Sequence, residues 1–114
     1  MNTDIKINRS DRATIKLINS KGNFKVGDKL KFSIVENNNY NNVIFQKEYI
    51  VTEESNIAYI TLTKEDTTIG DVISKQKVYN YEIKYNDDTT LLGYDDDRGK
   101  IFVLYPNAGT KRSI

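Results

Sequence analysis

The sequence predicts an all-β protein, a two-sheet β-sandwich of about seven to eight short strands. Three observations carry this. Apolar residues recur at every second position in one segment after another, which is the period of a strand with one buried face. Clusters of Asn, Asp and Gly separate these segments at hairpin distances. A helical signal occurs once and is short.

The segments follow in order. In residues 4–8, Ile5 and Ile7 alternate with Asp4, Lys6 and Asn8. Residues 13–17 place Ala13, Ile15 and Leu17 on one face. Residues 29–34 alternate most cleanly, with Leu30, Phe32 and Ile34 inward and Lys29, Lys31 and Ser33 outward. Residues 43–51 are strand-like with mixed parity: Val43 and Phe45 share a face with Lys47, and a β-bulge would separate them. Residues 57–62 put Ala58, Ile60 and Leu62 together, and residues 77–85 do the same for Tyr79, Tyr81, Ile83 and Tyr85. Residues 89–94 make a short strand. Residues 101–105 are continuously apolar, which implies burial on both faces or an interface.

Turn chemistry fills the gaps. Ser20 to Asn23 and Val26 to Asp28 punctuate the first long connection, and residues 37–42 form an Asn-rich loop tip. Asn86-Asp87-Asp88 fits a tight hairpin and Asp95 to Gly99 a second one. Thr63-Lys64-Glu65-Asp66 is a capping-box pattern and opens one short helical turn within Thr63 to Ile73. Residues 1–106 read as a single domain and 107–114 as a C-terminal tail. A five-stranded oligonucleotide-binding barrel is the competing architecture, but it uses fewer and longer strands.

Composition narrows function mainly by exclusion. The chain has 114 residues, with 17 Lys and Arg against 16 Asp and Glu, a net charge of +1, and no His, Cys or Trp. Without Cys there is no disulfide framework, thiol nucleophile or cysteine zinc site. Without His there is no Ser-His-Asp or Cys-His arrangement. Near-neutral charge argues against nucleic-acid binding by bulk positive charge. No apolar run of about 18 residues predicts a membrane span. Met1-Asn2-Thr3-Asp4 is polar and precedes no apolar segment, so secretion by a signal peptide is not expected.

Three sets of residues could carry chemistry. Asp95 and Asp97, in an Asp95-Asp96-Asp97 run, are candidate Ca²⁺ ligands, but the run lacks the spaced acids and placed Gly of a calcium loop. It reads better as a hairpin turn. Paired carboxylates for hydrolysis would have to come from Glu36, Glu48, Glu53, Glu54, Glu65, Asp66, Glu82, Asp87 and Asp88, which fall mostly on loops and outward faces. The Tyr residues at 40, 49, 59, 79, 81, 85, 94 and 105 could stack on sugars or bases, yet several share strand parity with Ile83 and so read as core. Lys6, Arg9, Arg12, Lys16, Lys21, Lys25, Lys29 and Lys31 are interrupted by acids and read as a solvated face. No catalytic residue, metal site or cofactor is assigned.

Three stretches taken in order resemble a known family. They are Asp4 to Asp11 with the later Val26-Gly27-Asp28 and its strand; Leu62-Thr63-Lys64-Glu65-Asp66-Thr67; and Tyr79-Asn80-Tyr81-Glu82-Ile83, closing on Phe102-Val103-Leu104-Tyr105-Pro106. The order resembles small immunoglobulin-like structural proteins of tailed bacteriophages and prophages of Firmicutes, in the broad class of the baseplate upper protein N-terminal domain. Ser10 stands where such proteins often carry Gly, and residues 70–76 are longer than their usual connection. The resemblance implies an immunoglobulin-like sandwich and a non-catalytic role. The chain would be a virion part of the tail, baseplate or head periphery, joining neighbouring virion proteins through exposed strand edges and an apolar last strand. It would sit in the virion, or in the host cytoplasm before lysis, with a homo-oligomer admitted and neither nucleic acid nor membrane as partner. The alternative is a carbohydrate-binding module using exposed Tyr residues and the Asp-rich loop. A small carboxylate enzyme ranks third.

Overall fold

The computed structural model describes residues 4–71, 73–93 and 100–106. The expected second hairpin at 95–99, Asp95 and Asp97 among it, and the expected tail at 107–114 lie outside the described residues. Eight strands are present: β1 (Ile5–Asn8), β2 (Ala13–Ile18), β3 (Lys29–Glu36), β4 (Asn39–Ile50), β5 (Ile57–Leu62), β6 (Lys77–Tyr85), β7 (Thr89–Leu92) and β8 (Lys100–Tyr105). The larger sheet runs β1-β8-β6-β3-β4, with β7 also paired to β6, and the smaller sheet is β2-β5. This is an all-β sandwich. Its order matches the immunoglobulin-like plan, in which the second and fifth strands leave the sheet built on the last, sixth and third.

The alternation seen in the sequence sets the core. Leu30, Phe32 and Ile34 of β3 pair with Tyr85, Ile83 and Tyr81 of β6, all toward the interior. Tyr79 pairs with Phe102, and Ile5 and Ile7 continue the same face through Phe102 and Leu104. Leu17, Ile60 and Leu62 close it from the smaller sheet. Aromatic rings interlock at its centre: Phe32 meets Phe45, Tyr81 and Phe102 at centroid separations of 6.4, 5.9 and 6.4 Å. Such tilted and edge-on contacts add to the burial energy of the rings.

The structure corrects one expectation and sharpens three others. The apolar last strand is not offered to partners. β8 lies between β1 and β6, with Phe102 and Leu104 in the core and Val103 buried on the other face. Its continuous hydrophobicity reflects burial on both sides. The Asn-rich tip is shorter than read, because β4 already begins at Asn39 and only Asn37 and Asn38 turn, with Asn38 at φ 63°. The bulge of β4 falls at Ile44, since Ile34 pairs with Phe45 and Val35 with Val43. It does not turn Lys47 outward: Phe45, Lys47 and Tyr49 all oppose core residues of β3. The helical signal yields one hydrogen-bonded turn, closed by the Thr67 amide on the Thr63 carbonyl at 3.2 Å. It stops there because the Thr68 hydroxyl donates to the Lys64 carbonyl at 2.8 Å, and Gly70 then takes a positive φ.

Candidate functional site

Two places in the fold bring the motifs together. The first joins the N-terminal step to the corner after β5. Past β1 the chain makes a turn from Asn8 to Asp11, closed by the Asp11 amide on the Asn8 carbonyl at 3.1 Å. Its third residue, Ser10, sits at φ 69°, a position that type II turns give to Gly. The Arg9 guanidinium extends to the corner, where Nε donates to the Ile69 carbonyl at 3.1 Å and Nη2 to the Gly70 carbonyl at 2.6 Å. Ser10 and Thr68 share a hydroxyl hydrogen bond of 2.8 Å. Thr67, fully buried, donates from Oγ1 to the Asp11 carbonyl at 2.7 Å.

The corner is itself rigid. Its capping box is formed in both directions: the Asp66 amide donates to Thr63 Oγ1 at 3.1 Å, and the Thr63 amide donates to Asp66 Oδ2 at 2.9 Å. Lys47 of β4 adds an ion pair to the same Oδ2 at 2.6 Å. Burial alone would raise the Asp66 carboxyl, but the Lys47 and Thr63 hydrogen bonds outweigh it and hold the pKa below its ordinary value. The Tyr49 hydroxyl donates to the Thr61 carbonyl of β5. Lys47 and Tyr49 thus tie the edge of the larger sheet to the smaller one.

The second place is a groove that opens where β4 and β5 diverge beyond that tie. It has a volume of about 360 Å³ and is lined by Leu30, Tyr49 and Ile50 from the larger sheet, by Ile57, Ala58 and Tyr59 from β5, and by Glu53 between them in the chain. Ile50 is 53% exposed and Tyr59 59%. The groove exists because the residues after Ile50 turn away to Asp28: the Val51 amide and carbonyl pair with the Asp28 carbonyl and Gly27 amide, both at 2.8 Å.

The remaining polar residues hold loops. The Tyr85 hydroxyl donates to Asp28 Oδ2 at 2.5 Å, and the Lys25 amide donates to the same oxygen at 2.8 Å. Both bonds lower the Asp28 pKa, that from Tyr85 most, while the Tyr85 phenol is pushed up in return. The Asn86-Asp87 turn has both residues at positive φ, as the sequence chemistry requires. Asp87 lies 3.0 Å from Lys29 and 3.1 Å from Lys31.

Glu48, Glu54, Asp66 and Asp87 each face a lysine. Tyr79 and Tyr81 are core residues, whereas Tyr59 is exposed beside the groove. Among the described residues no three of His, Cys, Asp and Glu cluster to hold a metal ion, and no helix is long and apolar enough to cross a membrane. Sequence reasoning misses the role of Arg9, which reads there as one of the solvated cations. Its place one step before a residue that favours Gly was the available signal. Comparison with family models, curated proteins and solved structures gave no match.

Proposed function

We propose that this protein is a non-catalytic structural module of a tailed phage or prophage particle, binding neighbouring virion proteins. One observation carries the reading. Two of the motifs that make up the resemblance lie side by side: Thr67, at the end of Thr63-Lys64-Glu65-Asp66-Thr67, donates to the Asp11 carbonyl, and Arg9 and Ser10 bond the residues just beyond it, Ile69, Gly70 and Thr68. Their joint occurrence therefore has a physical reason, since the N-terminal step docks on the corner that the second motif opens. A free-standing coincidence of weak motifs would not need to be complementary in space.

The test is to induce particle release from the source bacterium, purify the particles and identify their proteins by mass spectrometry. Peptides of this chain should co-purify with the particles and cross-link to adjacent virion proteins. Its absence from the particle fraction overturns the proposal.

A carbohydrate-binding role is supported by the exposure of Tyr59 at the groove lip. A glycan array decides it. Binding that is lost in Tyr59→Ala would favour a lectin-like module, because one exposed aromatic ring can stack on a sugar face only if it stays accessible.

A further inference from the structure

We infer that the face around Tyr59 is a two-fold interface with a second copy of this chain. The inference stands on the surface itself and does not depend on the virion reading.

Sheet edges invite unwanted pairing, and most edges here carry a device against it. β1 and β7 are only four residues long. β4 is bulged and turns Lys47 inward. β2 carries Lys16 on its outward face. β5 has none of these, and only the Tyr49 hydroxyl on its Thr61 carbonyl covers part of its edge. Its six residues, Ile57–Leu62, contain no charge, Pro or Gly, and among the described residues it pairs with β2 alone.

Several exposed apolar side chains gather around β5. On the outward face of the smaller sheet, Ile18 lies directly across from Ile57 and Lys16 across from Tyr59. Ile18 is 61% exposed. Ile57 and Tyr59 line the groove together with Ile50. Three of the six large hydrophobic residues that stand exposed among the described residues, Ile18, Ile50 and Tyr59, therefore gather at one end of the sandwich. Grouped exposure of this kind marks a contact surface, whereas scattered exposure does not.

Charge identifies the occupant. Lys16 flanks the patch on the β2 side and Glu53 on the groove side. Among the described residues neither has an ion-pair partner. In a two-fold contact, a residue on one flank meets the residue on the opposite flank of its mate. One cation and one anion on either side of an apolar centre are therefore complementary to themselves. A mate rotated about an axis through the Tyr59 patch would bring Lys16 against Glu53 twice. It would dock by side chains and not as an added strand, because Tyr49 already occupies the Thr61 carbonyl at the far part of the β5 edge.

The experiment is sedimentation equilibrium on the full chain across a wide concentration range, with circular dichroism to confirm folding of each variant. The wild type should show a concentration-dependent dimer, and Tyr59→Asp should be a folded monomer throughout. Lys16→Glu and Glu53→Lys should each weaken association about tenfold or more, and the double reversal should restore it, since it keeps the complementarity with the signs exchanged. A wild type that is monomeric at every concentration overturns the inference. So does a dimer that Tyr59→Asp leaves intact, or a double reversal no tighter than the single variants. Particle mass spectrometry reads none of these outcomes, so the two proposals fail separately.

Discussion

Lys47 points into the sandwich from an edge strand and ends 2.6 Å from Asp66, on the turn that follows the opposite sheet. Its ammonium also lies 5.4 Å from the Tyr49 ring centre. An inward charge blunts a sheet edge, and once it is shielded from water it must be neutralised at home. Asp66 does this while also capping its own turn, so one carboxylate links the two sheets and the corner.

Asp66→Ala should therefore cost more than an ordinary surface pair. The pair is half-shielded, with side-chain exposures of 33% for Lys47 and 17% for Asp66. Losing the cap alone is worth about 1 kcal/mol, and stranding Lys47 adds to it, for a total of about 2 kcal/mol. Lys47→Met should cost less, because it removes the inward charge and leaves Asp66 still accepting from the Thr63 amide. Urea unfolding of both variants checks the order.

Acid should destabilise the fold through the same group. The folded-state pKa of Asp66 is lowered from its ordinary 3.8, as is that of Asp28. Stability from a depressed carboxyl is fully present above the unfolded pKa and is lost as pH falls through the folded one. Thermal midpoints should stay level from neutral pH down to about pH 5 and drop below about pH 4. Asp66→Asn should start lower at neutral pH and lose less on acidification. An unchanged acid slope in that variant would count against the pairing.

Tyr81 and Tyr59 should behave as opposites. Tyr81 is 1% exposed and packs on Phe32. Replacing it with Ala should cost about 3–5 kcal/mol, whereas Tyr59→Ala should stay within about 0.5 kcal/mol for the monomer. Chemical denaturation at low protein concentration separates the two.

The backbone at Ser10 makes a third contrast. A non-Gly residue at φ 69° carries strain of about 1 kcal/mol or more. Ser10→Gly relieves it but loses the hydroxyl bond to Thr68 and adds chain entropy, so stability should change by less than about 1 kcal/mol. Ser10→Val keeps the strain, adds a branched side chain and loses the bond, and should cost about 2 kcal/mol. Thermal melts of the pair check this.

Tyr85→Phe removes the largest influence on Asp28. The Asp28 carboxyl should then titrate closer to its ordinary value, which carbon-detected NMR against pH would read. An unmoved Asp28 would mean that Lys25 and Asn86, not Tyr85, set its acidity.

Much of this fold was legible because alternation is unambiguous where one face is buried. The face shared by Tyr79, Tyr81 and Ile83, and the strand Ile57–Leu62, emerge directly from parity. What parity could not reveal was Lys47, since a charge aligned with Phe45 and Tyr49 looks like a register fault until its partner, distant in sequence, is in view. Nor could it assign β8, where continuous hydrophobicity is the mark of both a central strand and an interface. Arg9 was obscured for a similar reason: its ligands are backbone carbonyls, which carry no sequence signature. The groove depends on where the chain leaves β4, and no residue type announces that.

The parallel pairing of β1 with β8 has a mechanical consequence. Four residue pairs, from Ile5 with Phe102 to Asn8 with Tyr105, join the first strand to the last. Tension applied along the chain would pull β1 from its leading end and β8 from its trailing end, in opposite directions along their common axis. The interstrand hydrogen bonds would then be loaded side by side in shear and could not peel one after another. The domain is built to hold under stretch, with rupture requiring the whole ladder to give way together.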